Sequence, residues 1–259
     1  MPMALSERRG SVVILTLNNP EQYNALGGTV LRDLSAALDA ALADDTVRAI
    51  VLTGAGKGFC SGAQLIGGST FESGAEVGTL LRNGVSPLIE KIRGSSVPIV
   101  VAVNGPAAGA GVGIALAGDI VVAARSAKFV LSFVRLGAAL DAGTSLFLQR
   151  SLGIARARAL ALLGEPLSAE QAEQWGLIWK TVDDAVLLDE ALAIAQKLAD
   201  GPPISLGLIK SQLEFAWSSS LGSALDNEAV AQTKAFVTDD LREGAAAFVQ
   251  KRPARFLGR

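Results

Sequence analysis

Hydrophobic positions follow two regimes along the chain. In the first half, short unbroken apolar runs alternate with stretches of helical period. Residues 12–17 (VVILTL), 48–53 (RAIVLT), 99–103 (IVVAV) and 120–124 (IVVAA) have strand length and are rich in β-branched residues. Turn residues such as Asn18-Asn19-Pro20 and Asn104-Gly105-Pro106 bound them, so they predict buried strands. Leu31, Leu34, Leu38 and Leu42 share one face of a helix over 29–43. Val77, Leu80, Leu81, Leu88, Ile89 and Ile92 do the same over 76–93, with Pro87 a point of interruption. Residues 109–117 suit a helix of small side chains, and 128–134 is a further strand candidate. Beyond about residue 142 the strand signal is confined to 177–182, and helices dominate over 185–199, 204–217, 221–237 and 240–250. Ser168-Ala-Glu-Gln171 has the capping-box pattern, with Gly176 suited to the residue just past that helix; Asp240-Leu-Arg-Glu243 is a candidate cap for the last helix.

Strand–helix alternation implies an α/β core over residues 1–190, and the second regime a C-terminal helical region over 191–259. The strand–helix units suggest a repeat of irregular length, and no low-complexity linker divides the two parts. Residues 98–117 (PIVVAVNGPAAGAGVGIALA) are about long enough to span a bilayer, but Asn104, Pro106 and the glycines interrupt them and Asp119 follows. A buried strand, a glycine-rich turn and a buried helix fit better, so no membrane partner is expected.

Composition narrows the chemistry. With 23 Lys+Arg against 25 Asp+Glu, the 259-residue chain lacks the basic excess of a nucleic-acid binder. At 50 % hydrophobic it is too apolar for disorder. There is no histidine, which excludes Ser-His-Asp and Cys-His nucleophiles and histidine-bearing zinc sites. Acid–base work near neutral pH must fall to Asp, Glu, Lys, Tyr or Cys. The single cysteine, Cys60, allows no internal disulfide and fits a reducing cytoplasm. Residues 1–10 carry no apolar leader core, so a cytoplasmic location is expected.

Two glycine-bearing loops each follow a predicted strand: Gly58-Phe-Cys-Ser-Gly-Ala-Gln-Leu65, and Asn104-Gly-Pro-Ala-Ala-Gly-Ala-Gly-Val-Gly113, which opens a helix. Backbone N–H groups from both, converging on one oxygen, would form an oxyanion hole. The glycines equally suit tight turns and close packing. Gly109-Ala-Gly111-Val-Gly113 has G-x-G-x-G rather than dinucleotide-fingerprint spacing, and Gly54-Ala-Gly-Lys57 lacks the Walker A spacing and a following Ser or Thr.

GFCSGAQL, VNGPAAGAGVGIALAGDIVVAARSAKFV, LSAEQAEQWGL and FVQKRPARF together resemble the enoyl-CoA hydratase/isomerase (crotonase) family over nearly the whole chain. The resemblance implies a spiral of ββα units with C-terminal helices that support trimers, which commonly pair into hexamers. It implies an acyl-CoA thioester substrate, double-bond or ring-epoxide isomerisation, with enoyl-CoA hydration or a non-catalytic acyl-CoA-binding scaffold as the alternatives, and no cofactor beyond the CoA of the substrate. The two oxyanion donors fall on Ala63 and Ala110. The two hydratase glutamates fall on Gly113 and Phe133, so both carboxylates are absent. A third acid–base position, used by some isomerases and dehalogenases, falls on Asp141, and the dehalogenase's helper histidine falls on Ser86. Gln22, Tyr23, Ala25, Ser61, Gln64, Leu65 and Phe133 match substrate-contacting stretches. Lys251 matches a tail lysine that reaches the CoA phosphates of a neighbouring subunit.

Several of these residues carry a second reading. Asp141 also suits the N-cap of a helix beginning near Ala142. Tyr23 also suits a surface cap, and Lys251 also suits a cation at a helix C-terminus. Cys60 reads as packing rather than as a nucleophile, having no base candidate beside it.

Overall fold

The computed structural model describes residues 2–63 and 74–259. Among them, strands β1 (Ala4–Arg9), β2 (Val12–Leu17), β3 (Ala49–Gly54), β4 (Ile99–Val103), β5 (Ala107–Ala108), β6 (Ile120–Ala124), β7 (Lys128–Val130), β8 (Pro166–Ser168) and β9 (Lys180–Val182) make two sheets. The helices are α1 (Gly28–Leu42), α2 (Gly74–Leu80), α3 (Ser86–Gly94), α4 (Ala110–Ala117), α5 (Thr144–Leu163), α6 (Ala169–Gln174), α7 (Leu187–Ala199), α8 (Pro203–Ala216), α9 (Leu221–Ala235) and α10 (Asp239–Gln250). The large sheet has the order β1-β2-β3-β4-β6-β9, antiparallel at β1–β2 and parallel thereafter. Its register sets Val13 beside Ile50, Leu52 beside Val101 and Val101 beside Val121. Parallel strands covered on both faces read as continuous apolar runs rather than alternations, and every side chain of β4 is buried.

The second sheet, β5-β7-β8, is small, and isolated bridges Leu26–Ala63 and Cys60–Ala107 extend its layer. Each long strand therefore leads to a short pairing residue or strand and then to a helix. β2 runs through Leu26 into α1, β3 through Cys60 and Ala63 towards α2 and α3, β4 through β5 into α4, and β6 through β7 towards α5. This is the expected spiral of ββα turns, and its second layer carries the two glycine loops. α7 packs across β2, β3, β4 and β6, so it closes the sheet layer. α8 is tied on by Lys210, whose ammonium donates to Asp119 at 2.6 Å, and by Trp217 after its end, whose ring lies 4.8 Å from the Arg93 guanidinium and 4.7 Å from that of Arg150.

Local readings hold in several places. The bilayer-length stretch is β4, a turn, β5 and α4, and no helix among the described residues is long and apolar enough to cross a membrane. Ser168 Oγ accepts the Gln171 N–H, and Gly176 follows α6 at φ +78°. Other readings are corrected. The helical stretch continues through Pro87: a π turn over Leu81–Val85 joins α2 to α3, Val85 and Ser86 keep right-handed helical angles, and the proline, which has no N–H to donate, follows that turn. The strand candidate over 128–134 stops at Val130 and becomes a 3₁₀ turn, Ser132–Leu136. The 177–182 strand is only Lys180–Val182. Thr238, not Asp240, caps α10; the buried Asp240 carboxylate instead accepts the N–H groups of Leu257 and Gly258, anchoring the tail. β1 and α5 went unread: β1 is an exposed edge strand with no apolar alternation, and the apolar pattern of α5 is broken by a kink at Gly153.

Candidate active site

The site assembles where the second layer meets the start of α4. The chain after β2 turns through Tyr23 and Asn24, both left-handed at φ +49° and +56°. Such backbone is costly for side-chain-bearing residues and is held here by the fully buried Asn24 side chain. Its Nδ2 donates to the carbonyls of Ala55, Gly58 and Phe59 at 3.0, 2.8 and 3.1 Å, and its Oδ1 accepts the Asn19 N–H at 2.8 Å. One amide thus clamps the 19–26 segment onto the 55–59 loop. Ser61 completes the junction: its N–H donates to the Tyr23 carbonyl at 2.9 Å and its Oγ to the Gln22 carbonyl at 3.1 Å. Ala25 is buried behind the turn, and the Leu26 N–H donates to Gly62 O at 2.7 Å.

Gly62 has no substitute. Its φ is +82°, and a β-carbon there would stand 2.7 Å from Ala108 O and 3.1 Å from Ala110 N. That closeness brings Ala63, the next residue, alongside the N-terminus of α4. Among the described residues neither the Ala63 nor the Ala110 N–H has a protein acceptor. Ala110 is the first residue of α4, where N–H groups lack intrahelical partners. The left-handed residue at this corner is Gly109 (φ +54°); Ala110 itself has ordinary backbone angles.

Phe133 packs against the Gly109 corner, and the loop that carries Asp141 packs against α4. The Phe133 ring edge lies 3.9 Å from the β-carbon position of Gly109. The Asp141–Gly143 loop lies against α4 at Gly113, one turn beyond Ala110. A β-carbon on Gly113 would stand 2.3 Å from Ala142 O and 2.5 Å from Ala142 Cβ. The N-cap reading of Asp141 is overturned: α5 begins at Thr144 with Gly143 as its N-cap. Asp141 contributes only its carbonyl, which accepts the Thr144 N–H at 3.0 Å and Oγ1 at 2.7 Å. Its carboxylate Oδ1 is buried without a hydrogen-bond partner among the described residues, and burial alone pushes its pKa up to about 6.

Cys60 is a core residue, its thiol pushed up to about 12 by burial, which makes it inert as a nucleophile. Tyr23 closes the 3₁₀ turn Pro20–Gln22 and its half-exposed ring lies over Gly58. Lys251 ends α10 in a left-handed turn, and α10 makes no extensive contact with the elements around Ala63, Ala110 and Asp141. Gln64 and Leu65 lie outside the described residues. Asn24, between the predicted contacts Tyr23 and Ala25, gives no sign of its clamping role in the sequence, since a buried asparagine beside a turn leaves no distinctive spacing.

The chain belongs to the enoyl-CoA hydratase/isomerase family, whose pattern matches residues 7–259. Over the full length of both chains it is 43 % identical to the 1,2-epoxyphenylacetyl-CoA isomerase of Escherichia coli K12 and 34 % identical to the 2,3-dehydroadipyl-CoA hydratase of the same organism. The crystal structure of the enoyl-CoA hydratase from Bacillus anthracis superposes with a TM-score of 0.93 at 31 % identity, over 99 % of this chain and all of that one. The protein is therefore an enzyme of this family, acting in CoA-thioester metabolism.

Proposed function

We propose that the protein is an acyl-CoA thioester isomerase, working on a double bond or a ring epoxide, with Asp141 as its single acid–base group. The carboxylate takes a proton from the carbon next to the thioester carbonyl. The electrons of that C–H bond pass to the thioester oxygen, and the enolate rests on the N–H groups of Ala63 and Ala110. For a 3-enoyl thioester, the protonated carboxyl returns the proton at the far end of the former double bond, which moves next to the carbonyl. One carboxyl serves both transfers. No resident metal or redox group enters this reading. Gln22, Tyr23, Ala25, Ser61 and Phe133 contact the substrate in this reading, the family resemblance alone assigns Gln64 and Leu65 the same role, and Lys251 serves the CoA phosphates across a subunit boundary.

The carrying observation is the buried, unpartnered Asp141 Oδ1 beside α4, with glycine and phenylalanine at the other two acid–base positions. The similarity to an E. coli isomerase points the same way. Open apolar side chains near the C-terminus support a trimer or hexamer: Phe236 and Val237 after α9, and Phe248 and Val249 of α10 at 86 % and 79 % exposure. Sedimentation at micromolar concentration should give such a mass, and a monomer would count against it. The activity is tested by offering 3-hexenoyl-CoA and crotonyl-CoA to the same preparation. Isomerisation of the first should far exceed hydration of the second, and the reverse order would make the protein a hydratase.

A further inference from the structure

Gly113 and Ala142 meet at a contact that no side chain at 113 can share. The β-carbon position of Gly113 is 2.3 Å from Ala142 O, 2.5 Å from Ala142 Cβ and 3.0 Å from Ala142 C. These neighbours are backbone and a methyl group, none of them the movable end of a long side chain. α4 is buried along its whole length, so it cannot retreat. The loop must therefore give way, and it is held in a particular shape: Ala142 at φ +50° and Gly143 at φ +76° are successive left-handed residues. Thr144 holds the Asp141 carbonyl from the other side through its N–H and Oγ1.

We infer that the Gly113–Ala142 contact is the positioning device for the Asp141 carboxyl: the bare α-carbon at 113 seats Ala142 on α4 and thereby aims the neighbouring side chain. Gly113 and Ala142 are positioning residues, since neither offers a group that takes part in proton transfer. It follows that a side chain projecting from 113 and Asp141 in its present seat exclude one another. A carboxylate introduced at 113 would displace the existing one rather than join it.

The inference rests on the proposed role of Asp141, and the tests keep the two apart. Gly113→Ala adds one methyl group. It should lower kcat for 3-hexenoyl-CoA isomerisation about 10²-fold, the scale of a misplacement near 1 Å. The dissociation constant for butyryl-CoA should stay within about twofold of the unmodified protein. Ala142→Gly removes the loop's methyl group from the same contact and suits the positive φ at 142, and it serves if Gly113→Ala does not fold; it should lower kcat about tenfold or more with binding kept. Gly113→Glu should lose isomerisation without gaining hydration of crotonyl-CoA. If Asp141→Asn abolishes turnover while Ala142→Gly and any folded Gly113→Ala keep full kcat, the positioning inference is wrong and the proton shuttle stands. If Gly113→Glu hydrates crotonyl-CoA while retaining isomerisation, mutual exclusion is wrong. If Asp141→Asn itself keeps full turnover, the functional reading fails first.

Discussion

In the proposed mechanism the reacting groups on one side of the site are backbone: the N–H groups of Ala63 and Ala110. They are placed by Gly62, by the bridges Leu26–Ala63 and Cys60–Ala107, and by the Asn24 clamp. On the other side the reacting group is one side chain, Asp141, on a loop held by Thr144, Gly143 and the packing of Ala142 on α4. The proposed donors need no functional side chain, because the chain's path places their N–H groups, although Ala110 is itself buried. The second side allows no substitute for the carboxyl. Their neighbourhoods differ as well: the donor side is dense in hydrogen bonds, whereas the Asp141 oxygen is buried with none. A carboxyl without partners is held closer to its neutral form, which suits a group that must take a proton and give it back.

This contrast can be broken from either side. The largest expected effect is on the side-chain half: Asp141→Asn keeps the shape but cannot act as a base, and turnover should fall by roughly 10²–10⁴ with acyl-CoA binding retained. On the backbone half, Ala63→Pro deletes one donor. It should cost about 2.7–4 kcal/mol in the transition state, provided the variant is shown by circular dichroism to fold. Truncating the neighbouring Gln64 side chain to alanine should cost less, and equal losses would undo the distinction between the two halves. Asn24→Ala strands buried carbonyls of the 55–59 loop and should lower the denaturation free energy by about 1–3 kcal/mol. An unchanged urea midpoint would show that the clamp is dispensable.

The smallest effect concerns stability and pH. The folded Asp141 pKa of about 6 stands above the ordinary 3.8. Its burial is therefore harmless below pH 4, and the stability it allows is lost as pH rises through about 6. Ionisation against that displacement costs up to about 3 kcal/mol, and screening on the open side of the residue reduces this to on the order of 1–2 kcal/mol. Asp141→Asn should be more stable than the unmodified protein by that margin at pH 8 and no more stable at pH 4, as read by denaturant titration.

How far the sequence can be read follows the same division. The parallel strands announce themselves because burial on both faces demands unbroken apolar runs, as in IVVAV of β4. The Ser168 cap and Gly176 are legible because capping is local chemistry. The donor loops are legible as glycine-bearing motifs, although only the resemblance to a family says which N–H groups matter. Asp141, like Tyr23 and Lys251, is ambiguous: in the string it precedes a helix and suits a cap, and only the structure shows that Gly143 takes that place. Asn24 and the Gly113–Ala142 contact are invisible in the string, since each joins segments some 30 residues apart or more through a close approach that no local pattern encodes.

The most direct test of Asp141 as the working carboxyl is the pH dependence of kcat/KM for isomerisation of 3-hexenoyl-CoA between pH 4.5 and 8.5. The base must be ionised to take the first proton, so the rate should rise with pH, reach half its maximum near pH 6, where burial has moved this group, and then stay level. The residual activity of Asp141→Asn should lack that inflection. A profile that is flat across this range, or an inflection that persists unchanged in Asp141→Asn, would assign the proton transfer to another group.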